Sequence, residues 1–127
     1  MRTIKFRGNY SGKWYYGDHL KYEGCSVIGD HSTPTDYTVA FDSVGQFVGL
    51  KDKDGVEIYE GDILAWEDEL GVKPQTLMVK YDESTASFRL FNAAGTKTRA
   101  VLDAHSCHNY RRVIGNIYDN PELLKGV

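Results

Sequence analysis

Apolar residues in this chain recur at every second position, in short runs that a turn signal interrupts before a helix could be built. Ile4 and Phe6 alternate with Thr3, Lys5 and Arg7, the period-two pattern of a half-buried strand. Gly8-Asn9 to Ser11-Gly12 reads as a turn. Lys13-Trp14-Tyr15-Tyr16 is aromatic and suits a strand, which Gly17-Asp18 is expected to break. His19 to Tyr22 alternates again, and Cys25 to Ile28 makes a further short strand. The opening segment is therefore read as a β-meander with a turn every few residues.

The pattern continues after a loop of Gly, Asp, Ser, Thr and Pro34 between Gly29 and Asp36. Tyr37 to Phe41 and Gln46 to Leu50 read as strands. Asp54-Gly55 then signals a hairpin, because glycine enters a positive-φ turn without a steric penalty. Val56 and Ile58 carry the return strand, Tyr59 to Asp62 turns, and Ile63 to Trp66 resembles a short buried strand. Glu67 to Glu69 and Gly71 to Pro74 read as a charged, exposed loop. Thr76 to Tyr81, Phe88 to Phe91, Thr96 to Leu102 and Val113 to Tyr118 supply the remaining strands. Asn120-Pro121-Glu122 offers a cap, a proline at the first helical position and an acid in the first turn, which predicts one helical turn. Some helix is also compatible with residues 98–105. The fold class is all-β, over 1–127 as one domain or as two small ones sharing a core. Within it a meander covers about 1–50, and a compact, barrel-like and plausibly SH3-like part covers about 51–127.

An ordered set of motifs carries a resemblance. They are Ile4-Lys5-Phe6-Arg7-Gly8; Trp14-Tyr15-Tyr16-Gly17-Asp18; Gly45-Gln46-Phe47-Val48-Gly49-Leu50-Lys51-Asp52-Lys53-Asp54-Gly55; Ile58-Tyr59-Glu60-Gly61-Asp62-Ile63; and Val113-Ile114-Gly115-Asn116-Ile117-Tyr118 with Asn120-Pro121-Glu122-Leu123-Leu124. Together they resemble the YopX family of phage and prophage proteins, over residues 4 to 124. The resemblance implies a mostly β fold, a phage or prophage origin, a bacterial cytoplasm and self-association. It brings no catalytic residues. The motifs themselves read as fold punctuation, with the carboxylates of Glu60-Gly61-Asp62 able to accept backbone N–H groups across a turn.

Composition narrows the function classes. The chain has 127 residues and a formal net charge of −3, which weakens a nucleic-acid role without removing it. There is no apolar run long enough to span a membrane, and the alternating N-terminus is not a signal peptide. The cysteines, Cys25 and Cys107, stand far apart and are expected as reduced thiols.

Candidate chemistry is sparse. His105, Cys107 and His108, with Cys25 or His31, are zinc-ligand types, but Cys107 and His108 are adjacent and would point to opposite faces of a strand. The plainer reading is an exposed loop holding one thiol. Cys107 with His105 could form a nucleophile pair only in direct contact. Asp52 to Glu57 lacks the spacing of a calcium loop. Asp52, Asp54, Glu57, Glu60 and Asp62 are paired-carboxylate types that also serve as solubilising hairpin tips. No catalytic residue, cofactor or metal site is assigned.

Basic residues beside aromatics are the stronger signal. Arg2, Lys5, Arg7 and Lys13 flank Trp14, Tyr15 and Tyr16. Lys51 and Lys53 crown a hairpin, while Arg111 and Arg112 make a separate, third basic spot, and these last four are the candidate polyanion contacts. The leading expectation is a protein that acts by contact, as a homo-oligomer or on a host or phage protein, through open strand edges and abundant tyrosine. Single-stranded nucleic-acid binding is the alternative, and an enzyme the third class.

Overall fold

The computed structural model describes residues 2–22, 24–29 and 36–124. Ten strands, one short α-helix and two 3-10 turns make up these residues, so the all-β expectation holds. The chain divides into two compact units, residues 1–47 and 48–127.

The first unit is an antiparallel meander of β1 (Phe6–Tyr10), β2 (Lys13–Tyr22), β3 (Cys25–Gly29) and β4 (Asp36–Val39). Gly8 and Asn9 belong to β1, and the turn falls on Ser11-Gly12, both with positive φ. Gly17 does not end β2: it pairs with Phe6 and the strand runs through it, at a φ of 156° that glycine adopts freely. The meander curls until β1 also meets β4. A Cβ on Gly8 would lie 2.6 Å from Val39 Cγ2, so only glycine lets the strands approach this closely. Ile28 and Val39 fill that contact and are buried. A 3-10 turn at Phe41–Ser43 is tied to β1: Asn9 N donates to Ser43 Oγ (2.8 Å), and Ala40 N donates to Asn9 O (2.8 Å). β5 (Gly45–Lys51) then starts by pairing Gly45 and Gln46 with β1.

In the second unit the rest of β5 pairs with β6 (Glu57–Tyr59). The Asp54-Gly55 turn between them forms as the sequence predicts, with Gly55 at φ 81°. A four-stranded antiparallel sheet follows in the linear order β10-β7-β8-β9, comprising β7 (Asp62–Asp68), β8 (Gly71–Asp82), β9 (Ser87–Phe91) and β10 (Arg111–Asn116). The expected charged loop at 71–74 is instead the start of β8, because Asp68 pairs with Gly71 and only two residues separate the strands. Register alternation divides the core between the two faces. Leu64, Leu77, Val79 and Leu90 gather with Ile58 and Cys107, whereas Ile63 and Met78 pack with Leu124.

The outer strands of this sheet are closed by turns and not by each other. Beside β9, Asn92 N donates to Thr96 O and Thr98 N to Leu90 O. The predicted strand at Thr96–Leu102 is thus reduced to one bridge, Phe91 to Lys97. Thr98 bonds its hydroxyl to Leu90 O, and the chain turns toward a helix cap five residues later, at Asp103. Beside β10, Lys53 N donates to Arg111 O and Val113 N to Asp52 Oδ2.

The predicted His-rich loop is a helix. α1 (Ala104–Tyr110) begins at Asp103, whose carboxylate accepts from Ser106 N at 2.8 Å. Such a cap satisfies one of the orphan donors of a first turn. Asn120-Pro121-Glu122 starts the expected final turn, at Pro121–Leu124. Among the described residues, no helix is long and apolar enough to cross a membrane.

Candidate functional site

The helix decides the fate of the thiol–imidazole cluster. Residues two apart on a helix point to different sides, so Cys107 is buried in the core while His105 and His108 face solvent. Burial pushes the Cys107 thiol up to about 11. Neither the Cys107–His105 pair nor a shared ligand set forms, and His31 lies outside the described residues. Among the described residues no three His, Cys, Asp or Glu side chains gather as a metal site.

The carboxylates expected at hairpin tips do internal work. Asp52 is 1% exposed and accepts from the backbone of Asp54, Val56 and Val113. Asp62, also buried, accepts from Tyr59 N at 2.7 Å.

Two of the four candidate polyanion contacts come together. Lys53 Nζ lies 3.0 Å from Glu67, and Arg112 reaches both Glu67 (3.1 Å) and Asp54 (2.9 Å). Arg111 is buried, its guanidinium 4.9 Å from the centre of the Trp66 ring. Lys51 is exposed at the end of β5. In the first unit, the basic residues lie over aromatic rings: Arg7 on Trp14 (4.6 Å), Lys13 on Tyr15 (5.4 Å) and Lys5 on Phe47 (5.4 Å).

Sequence reasoning missed the cleft that opens where β7 ends. Trp66, Asp68, Glu69, Leu70 and Tyr110 line a hollow of about 580 Å³, within the range of small-ligand and side-chain pockets. Asp68 builds its wall by accepting from the Trp66 indole Nε1 (3.1 Å) with one oxygen and from Leu70 N (2.9 Å) with the other. The β7–β8 hairpin therefore holds the indole and the loop in one fixed relation. Tyr110, the last residue of α1, stacks on Trp66 with ring centres 4.8 Å apart and planes at 22°. His105 meets Tyr110 edge-on at 6.1 Å. Leu70, at the hairpin tip, is 89% exposed. The sequence signal was a lone leucine inside an acidic turn directly after a tryptophan. A smaller hollow of about 280 Å³ in the first unit is lined by Lys21, Gly24, Cys25, Ser26 and Phe41.

Comparison with known proteins gives one family: a family model described as YopX protein matches residues 5–125. No curated protein matches. Among solved structures, the crystal structure of protein EF1440 from Enterococcus faecalis is similar, with a TM-score of 0.63 and 24% sequence identity. That likeness covers 98% of this chain and 99% of that chain. At this identity it speaks for the fold.

Proposed function

The chain belongs to the YopX family, and we propose that it works by contact with a protein partner, as a non-enzymatic accessory protein of phage or prophage origin in the bacterial cytoplasm. One observation carries this reading: Leu70, 89% exposed, stands on the rim of a cleft walled by the stacked rings of Trp66 and Tyr110. Folding gains almost nothing from a leucine so exposed. A partner that covers it gains both its apolar area and the aromatic surface beside it. Strand addition to the four-stranded sheet has little support, because turns already bond to the outer strands β9 and β10. The contact is therefore made by side chains.

Single-stranded nucleic-acid binding has less behind it. Lys53 and Arg112 share Glu67 and Asp54, and Arg111 is buried. Among the described residues, that leaves Lys51 as the exposed cation of the four without an ion-pair carboxylate. Two carboxylates line the aromatic cleft, where a phosphate chain would be repelled.

The test compares the tagged chain with its Leu70→Asp variant in nuclease-treated bacterial lysate, with light scattering in parallel. A specific protein retained by the parent and lost by the variant supports the contact role. So does a parent oligomer that the variant dissociates. Identical behaviour of the two chains in both assays overturns it.

A further inference from the structure

We propose that the Trp66 cleft receives a lysine- or arginine-bearing segment of the partner protein, an inference that rests on the contact role above and names the chemistry it recognises. Among the described residues, the lining is two aromatic rings, one leucine and two carboxylates, Asp68 and Glu69, with no cationic side chain. Each group suits part of a basic side chain. An ammonium or guanidinium is attracted to the face of an aromatic ring. The methylene stem that carries it packs on apolar surface such as Leu70. The exposed Glu69 carboxylate on the rim then meets the charge.

The two neighbouring acids of the hairpin differ in a way that bears on this. Glu67 is occupied by Lys53 and Arg112. Glu69 is exposed and, among the described residues, has no ion-pair partner. Asp68 is held in place by the indole and by Leu70 N and serves to position the ring and the loop. Arg111 packs against Trp66 but does not line the hollow. Its positive charge already sits on the indole, which leaves Tyr110 as the ring for an incoming cation.

The experiment uses the full chain and two short capped peptides, one alternating lysine with alanine and one alternating glutamate with alanine. NMR follows the indole Nε1–H of Trp66, with that of Trp14 as the internal control. The lysine peptide is expected to shift the Trp66 signal and leave Trp14 unmoved. Its affinity should fall about tenfold in Glu69→Lys and decline with added salt, while Glu122→Lys leaves it unchanged. Equal shifts from the glutamate peptide, or equal affinity in Glu69→Lys and the parent, overturn the proposal. If the lysine peptide fails to bind while Leu70→Asp still loses its captured protein, the assigned chemistry is wrong and the contact role stands.

Discussion

The carboxylate of Asp52 accepts a hydrogen bond from the backbone N–H of Val113 at 2.9 Å, across 61 positions of chain. The same side chain accepts from Asp54 N and Val56 N, so one buried group shapes the β5–β6 turn and closes the outer side of β10. Replacing it with alanine leaves buried donors without an acceptor. Asp52→Ala is expected to cost about 2–3 kcal/mol in urea unfolding. Asp54→Ala, which loses only an exposed ion pair with Arg112, should cost roughly 0–1 kcal/mol.

Gly8 tests the curl of the first unit. Its missing side chain admits Val39, and a Cβ there would approach Val39 Cγ2 to 2.6 Å and Val39 Cβ to 2.9 Å. Gly8→Ala should destabilise the protein by about 1–3 kcal/mol through overpacking. The double variant Gly8→Ala with Val39→Ala should recover part of that loss, read from the same unfolding curves. No recovery would place the strain elsewhere.

Cys107 should be chemically silent in the native protein. Its thiol is buried and pushed up to about 11, against 9.0 for an ordinary cysteine, with desolvation as the first cause. A raised folded value means that this group's contribution to stability is intact below about 9.0 and is lost as the pH climbs through about 11. Thiol-specific labelling at pH 8 should modify Cys25, which is half-buried, and spare Cys107 until denaturant is added.

Asp82 should stay ionised in acid. The Lys97 ammonium at 2.8 Å, helped by the Thr85 and Ser84 hydroxyls, holds its carboxyl well below the usual value of 3.8. The shift is a depression, so its stabilising contribution is present above the ordinary value and is lost as the pH falls through the folded one. An NMR titration of the Asp82 carboxyl should show no midpoint near 3.8, and Lys97→Met should move the midpoint upward.

Much of the fold was legible because short-range chemistry determined it. The Asp54-Gly55 turn and the cap-proline-acid start at Asn120 are local signals, and both form. The helix at Ala104–Tyr110 was masked by a sequence that also permits loop, and its cap, Asp103, lies inside the 98–105 stretch that is compatible with helix, so the helix begins where that stretch nearly ends. Gly17 misled for the opposite reason: glycine can break a strand, but here it pairs with Phe6 and β2 runs through it. The cleft was the least legible part. Trp66 and Tyr110 stand far apart in sequence, and only the placement of α1 over β7 brings their rings together. The acidic turn between Glu67 and Leu70 could not show from sequence that, among the described residues, Glu67 is paired and Glu69 is not.

The most direct test of the contact role is hydrogen exchange on the chain alone and bound to the protein it retains from nuclease-treated lysate. The account predicts added protection in the β7–β8 hairpin around residues 66–71 and at the end of α1 around 105–111. Protection confined to β4, or to the Lys51–Lys53 turn, would contradict it.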